Sequence, residues 1–483
     1  MAFAIEPAIR SIVTSGIMTL AAFNRKRLPL PDKPHPYVTG FHTPMHRELT
    51  INELAVTGTI PPELDGSYLR IGPNPIAPDP KSYHWFLGDG MVHGIRLQGG
   101  RARWYRNRWI RSRAVGEALD VPAASGPRHG GLDTVNTNII GHAGASWALV
   151  EAGSTPVRLN ETLDDQSYDD FGGTLRGAFT AHPHRDPATG ELHAICYDAV
   201  KPNEVRHVVV AADGSVRREI SIPVKHGPSI HDCTLTERFV VILDLPVTFS
   251  MAALIGGQSY PYRWNRSHQA RIGLLPREGA ASDIIWITVD PCYIFHTANA
   301  YDLPDGRVVM DAVVYDRMFD ETSQGPDRNP RGLERWTIDP RARRVERHTV
   351  DPAPQEFPRI DERRTGRPYR FAYSMGLPNA FSDQLVGATH IFKYDLESGT
   401  RQCHDFGPNR FPGEFVFVPR HADAAEDDGW LLGFVVDRER NATELAIIGA
   451  QAFGREPIAT IRIPHVIPAG FHGNWIDAAA GCE

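Results

Sequence analysis

Beyond Pro44 the chain is built almost entirely of short apolar runs separated by turn residues, and this pattern decides its fold class. Val205–Val210 runs into Asp213-Gly214 and is followed by Val216–Ile222. Tyr301 leads to Pro304-Asp305-Gly306 and then to Val308–Tyr315. Leu333–Ile338 turns at Asp339-Pro340 into Arg344–Val350, and Trp430–Val436 turns at Glu439-Arg440-Asn441 into Leu445–Ile448. Each is a strand–turn–strand signature, with Asp-Gly the strongest form because glycine accepts the positive φ of a tight hairpin. Helical periodicity is scarce in this region. The expectation is an all-β fold. Roughly 430 residues of such pattern exceed one sandwich, and a propeller of about four-stranded blades handles the length best. No G-H…W-D repeat occurs, so the pattern alone does not give the blade number.

The first 24 residues differ. Ile5, Ile9, Ile12, Val13, Ile17 and Leu20 are spaced as one face of a helix. Pro7 and Arg10 interrupt the apolar run a signal peptide needs, and the stretch is short of the roughly 20 apolar residues of a membrane span. It reads as an amphipathic helix that packs on its own protein, lies against a membrane, or serves as a cleaved targeting segment. A Pro-rich arm, Leu28 to Pro44, follows. The expected division is residues 1–44 as helix and arm, and 45–483 as a single propeller domain.

Of the 483 residues, 41% are hydrophobic, enough for a large core, and the net charge of −7 is spread without any basic tract. Nucleic acid is therefore excluded as a partner. Five cysteines (Cys196, Cys233, Cys292, Cys403 and Cys482) form no C-x-x-C pair. Their odd count argues for free thiols in a reducing cytoplasm and against a thiolate zinc site.

Four histidine segments carry the chemistry: Ala181-His182-Pro183, Ile230-His231-Asp232, Phe295-His296-Thr297 and Phe471-His472-Gly473. No local pair links them, so a shared metal requires distant strands to meet at one point, as they do on a propeller axis. Neutral imidazole suits Fe(II), Zn(II) and Cu(II). Four imidazoles in an octahedron leave two positions open for O₂ and solvent, whereas structural zinc closes at four ligands. A coordinating histidine needs its second ring nitrogen held by an acceptor, usually a carboxylate. Glu151, Glu356 and Glu414, each set beside apolar residues, fit that need. Taken singly, each histidine could equally be a satisfied core residue. His84, His93, His184, His193 and His421 have contexts that local pattern does not separate from the four. On a strand, His182 and His184 would share a face.

These segments resemble the carotenoid cleavage oxygenase family over roughly residues 45 to 483. The likeness includes Asp65–Pro75, His84–Gly94, Asn136-Thr137-Asn138 and the four histidine contexts in order. It implies a seven-bladed propeller with iron(II) on its axis, capped by loops and short helices on one face. It implies that His182, His231, His296 and His472 are the ligands, with His182 rather than His184 in the Ala-His-Pro position. It assigns Glu151, Glu356 and Glu414 as carboxylate partners of three ligands, and sets Thr137 close to the open iron position. The reaction implied is O₂-dependent cleavage of a carbon–carbon double bond to two carbonyl products.

Relatives that cleave phenolic stilbenes anchor the phenol with a tyrosine and a lysine. The lysine position is here Val150, and the tyrosine position is read as Trp109. Burying a phenol without partners costs about 1–3 kcal/mol, which favours an apolar polyene, a carotenoid or apocarotenoid. Stilbenoid or phenylpropanoid cleavage is the alternative; retinoid isomerohydrolysis and lipid binding without turnover are further ones. The apolar stretch Leu245 to Gly257, with the N-terminal helix, suggests peripheral membrane contact or a buried loop over one face.

Overall fold

The computed structural model describes residues 5–199, 201–327, 330–378 and 386–478, with side chains from residue 16 onward in the first helix. Cys482 and the side chains of Ile5, Ile9, Ile12 and Val13 lie outside the described residues.

Each hairpin read from the turn residues forms two neighbouring strands of one sheet. Glu204–Val210 pairs with Val216–Pro223, Thr297–Asp302 with Val308–Tyr315, Pro330–Asp339 with Arg344–Asp351, and Gly429–Asp437 with Ala442–Gly449. Seven sheets of four or five antiparallel strands result, arranged as the blades of a seven-bladed propeller. Blade 2 spans Asn138 to Tyr168, blade 3 His184 to Pro223, and blade 4 Cys233 to Thr288. Blade 5 spans Thr297 to Asp351, blade 6 Gln355 to Asp405, and blade 7 Arg410 to Ile463.

Blade 1 and blade 7 are closed by strands from both ends of the chain. Gly473–Asp477 pairs with Gly66–Arg70 as the innermost strand of blade 1, and Ala55–Gly58 pairs with Ala459–Arg462 on the outside of blade 7. These pairings tie both ends of the chain into the ring and so lock the first and last blades in place. At this seam Gly72 faces Gly470: a Cβ on Gly72 would meet the Gly470 Cα at 2.4 Å, so only glycine allows the approach. The core lies between blades. Its largest cluster joins blades 3, 4 and 5 through residues such as Ile242, Leu274, Val313 and Trp336.

Among the described residues, three α-helices lie outside the blades: α1 (Ile5–Lys26), α2 (Arg113–Leu119) and α3 (Met251–Ile255). The end of α1 is tied to the segment around α3, with Asn24 Nδ2 donating to the Ile255 carbonyl (2.7 Å) and Arg25 Nε to that of Gly257 (3.2 Å). Ala21 is buried, while Met18, Leu20 and Phe23 face outward. No helix among the described residues is long and apolar enough to cross a membrane. Cys196, Cys233, Cys292 and Cys403 are free thiols.

Candidate metal centre

Each of the four histidines stands just before an innermost strand, which sets all four at the same level of the axis. His182 precedes His184–Arg185 of blade 3, and His231 precedes Cys233–Leu235 of blade 4. His296 adjoins Thr297–Asp302 of blade 5, and His472 adjoins Gly473–Asp477 of blade 1. Their ligand nitrogens all lie within 4.8 Å of one another, and all four side chains are buried.

Three of the rings are braced by carboxylates. His231 Nδ1 donates to Glu151 (2.7 Å), His296 Nδ1 to Glu356 (2.6 Å) and His472 Nδ1 to Glu414 (3.0 Å). A carboxylate only accepts, so the proton of each ring sits on Nδ1 and the inward Nε2 is left as a bare lone pair. The Nε2 atoms of His231 and His296 are 3.3 Å apart, and His182 Nε2 is buried with no hydrogen-bond partner. Lone pairs crowded in this way repel unless a cation lies between them. The donor set therefore fits a divalent metal held by neutral imidazole. Burial, reinforced by the three neighbouring imidazoles, holds His182 well below the ordinary histidine range and so keeps it neutral. Burial likewise lowers His472, outweighing Glu414. At His296 burial is overcome by the Glu356 carboxylate, which raises the pKa.

Local irregularities aim the carboxylates. The register of blade 6 slips between Glu356 and Arg359, where Phe357 takes a φ of 53°. Blade 7 slips in the same way between Pro412 and Phe415, around Glu414. A bulge turns one side chain out of the alternation, here toward the axis. The three carboxylates are not equally satisfied. Glu356 also accepts from the Phe357 N–H (2.6 Å) and the Tyr315 hydroxyl (3.0 Å). Glu414 accepts from the Gly473 N–H (2.8 Å) and from Arg359 (3.3 Å). Burial would raise Glu414, but His472 and Arg359 pull it down to about 2. Glu151 Oε2 is buried and has no hydrogen-bond partner among the described residues.

The ambiguous histidines find other partners. The strand begins at His184, so His182 and His184 do not share a face. His184 Nε2 bonds Asp232 (2.7 Å), and the other Asp232 oxygen accepts from the Thr297 N–H and hydroxyl. His84 caps the turn Trp85–Leu87 and stacks on Tyr260 at 4.3 Å. His93 bonds the Tyr105 hydroxyl, and His193 bonds His207. His421 is exposed and offers its carbonyl to Arg363.

An apolar cavity of about 170 Å³ opens beside the histidines, lined by Trp85, Phe86, Thr137, Val150, Tyr260 and Phe295 among others. Thr137 donates its hydroxyl to Asn136 (2.9 Å), and its carbonyl accepts the His472 N–H (3.2 Å). Val150 is on the cavity wall; Trp109 is not. The Trp109 ring packs with Met91 and Val115, and its Nε1 donates to the Asn74 carbonyl (2.9 Å). The strand that carries it alternates faces, and Trp109 falls on the side turned into the protein. Sequence reasoning missed Phe295 and Phe471, although each immediately precedes a histidine of the cluster. It also missed Tyr197, Tyr260 and Tyr262, for which no local signal exists.

A seven-bladed propeller that gathers four buried histidines on its axis, three of them braced by glutamates, is the scaffold of an axial metal-site protein. The family model described as "Retinal pigment epithelial membrane protein" matches residues 42–477. A carotenoid cleavage oxygenase of Mycobacterium tuberculosis is 43% identical, the match covering 91% of this chain and 97% of that relative. A carotenoid 9,10(9',10')-cleavage dioxygenase of Phaseolus vulgaris is 28% identical, over 92% of this chain and 90% of the relative. Among solved structures, the lignostilbene dioxygenase of Pseudomonas brassicacearum superposes with a TM-score of 0.82 at 25% identity, over 93% and 100% of the two chains. Cobalt-substituted Synechocystis apocarotenoid oxygenase does so with 0.78 at 29% identity, over 90% and 97%. This chain belongs to the carotenoid cleavage oxygenase family and is an oxygenase.

Proposed function

We propose that this protein is an iron(II) dioxygenase that cleaves one carbon–carbon double bond of a carotenoid or apocarotenoid. The observation that carries the reading is the apolar cavity that ends on His231, His296 and His472 of the four-histidine cluster, with Val150 where a phenol-binding relative has lysine. His182, His231, His296 and His472 would hold the metal, and Glu151, Glu356 and Glu414 would fix three of the rings. Ferrous iron bound there supplies oxidation by O₂, one oxygen atom going to each carbon of the broken bond. The rest of the work belongs to the protein. The aromatic walls exclude water and hold the polyene so that one bond faces the metal. Thr137 lines the cavity beside the histidines and would bound the space left there for O₂ and substrate. No protein group is required as a general acid or base.

Peripheral membrane contact belongs to the same reading. Met18, Phe23 and Met251 are exposed on the joined α1 and α3, and Leu132 is exposed at the cavity. Such a surface suits uptake of an apolar substrate from a bilayer.

A second reading, cleavage of a phenolic stilbene, is favoured by one observation: Tyr197, Tyr260 and Tyr262 also line the cavity. Their hydroxyls could replace the missing lysine–tyrosine anchor.

The test is anaerobic reconstitution with Fe(II), then exposure to O₂ with apocarotenals, β-carotene and resveratrol, with products separated by chromatography and identified by mass. Two carbonyl fragments from a polyene support the first reading and locate the bond. Cleavage of resveratrol alone overturns it in favour of the second.

A further inference from the structure

Two cavities meet at the histidine cluster, each bordered by three of the four. Besides the apolar one, a larger cavity of about 1070 Å³ runs along the propeller axis. His296 and His472 border both; His231 borders only the apolar cavity and His182 only the axial one. The chain explains the division. Segments before the ligands, such as Phe295 and Phe471, wall the apolar side. The innermost strands after them, including Asn138–His142, Thr297–Asn299 and Asn474–Asp477, wall the axial side.

The two passages suit different cargo. An aquated dication entering an apolar passage loses water contacts and finds no replacement, a prohibitive desolvation. The axial cavity is polar along its length: Glu161, Asp165, Glu362 and Asp477 are exposed on its walls, Asp232 and Asn138 are buried further in, and Arg158, Arg185, Arg359 and Arg363 stand among them. At its inner end stands His182. It is the one histidine of the four without a carboxylate brace, no hydrogen bond reaches its ring nitrogens among the described residues, and its Nε2 is buried and unpartnered. The other three rings are each fixed through Nδ1.

Resting on the reading of these four histidines as a divalent-metal site, we propose that the axial cavity is the path of metal entry and exit, and that His182 is the ligand that yields to admit the ion. Metal and substrate then approach the centre from opposite faces.

The experiment follows Co(II) uptake by the apoprotein, read by visible absorption in stopped flow, in the full chain and three variants. Ile140→Trp narrows the axial wall. Asp477→Lys reverses an exposed charge at its mouth. Val150→Trp fills the apolar cavity. Ile140→Trp is expected to slow uptake at least tenfold with the final stoichiometry unchanged. Asp477→Lys is expected to slow it about threefold or more at low salt, with the difference fading at high ionic strength. Val150→Trp is expected to take up Co(II) within twofold of the wild-type rate. Slowing by Val150→Trp alone would place entry on the apolar side and overturn the proposal. Unchanged rates in both Ile140→Trp and Asp477→Lys would overturn it too. Asp477 is exposed, so its variant decides the matter even where Ile140→Trp does not fold. Absence of any Co(II) uptake by the wild-type chain sinks the metal reading and this proposal together. Uptake by the axial route without polyene cleavage leaves the proposal standing and removes only the substrate reading.

Discussion

Replacing Glu356 and Glu151 in parallel separates what a brace does for the metal from what it does for the fold. Glu356→Ala strands three donors at once: His296 Nδ1–H, the Phe357 N–H and the Tyr315 hydroxyl. Glu151→Ala strands only His231 Nδ1–H. Loss of a carboxylate behind a ligating histidine weakens metal binding by about 10–100-fold, or about 1.4–2.7 kcal/mol, and both alanine variants should show it. Stability should separate them. A buried donor left unpaired costs about 1–3 kcal/mol, so Glu356→Ala, stranding three, should lose about three times as much as Glu151→Ala, about 3–9 against about 1–3 kcal/mol. The glutamine variants keep an acceptor for Nδ1–H but lose the charge, so their metal affinity should fall near the lower end of that range. Co(II) titration against a competing chelator gives the affinities, and urea unfolding of the metal-free proteins gives the stabilities. An unchanged affinity in both alanine variants would refute the bracing argument. Equal unfolding losses for the two would refute the count of stranded donors.

Val150→Lys places an ammonium on an apolar wall beside Glu151, and should cut kcat/KM for an apocarotenal at least tenfold; an undiminished rate would show that the polyene does not pass this wall. His42 is buried between Tyr37 and Trp85 with both ring nitrogens unpartnered, and burial, aided by His35, holds its pKa at about 3. Its folded value lies below the unfolded 6.5, so its neutral form is accommodated freely above pH 6.5 and the fold loses stability as pH falls from there toward 3. At pH 5 that penalty is about 2 kcal/mol, so His42→Phe should flatten the loss between pH 7 and pH 5 in urea titrations, and identical slopes would exclude the assignment. Met18→Asp with Phe23→Asp should reduce co-sedimentation with lipid vesicles while leaving cleavage of detergent-dispersed substrate intact; equal sedimentation would remove the α1 surface from any membrane role.

Much of the fold was legible because turn chemistry is local. Asp213-Gly214 and Pro304-Asp305-Gly306 specify hairpins whatever surrounds them, and those hairpins are strands of blades 3 and 5. The three glutamates stand out by their apolar neighbours, but the four histidines were singled out by the resemblance of their segments, since local pattern does not separate them from His84, His93, His184, His193 and His421. That they converge is a property of the ring alone: His182 and His472 meet only because Gly473–Asp477 closes on Gly66–Arg70. The choice of His182 over His184 depended on where an innermost strand begins, and the aim of Glu356 and Glu414 on bulges no residue type announces. Trp109 was misjudged because face assignment follows sheet register, and Tyr260 escaped notice because a cavity wall is assembled from segments far apart in sequence. The sequence by itself determined which residues could bind a metal and which stretches must be strands, both being properties of short segments. Only the tertiary structure decided which of them share a point in space, because seven blades must close before any axis exists.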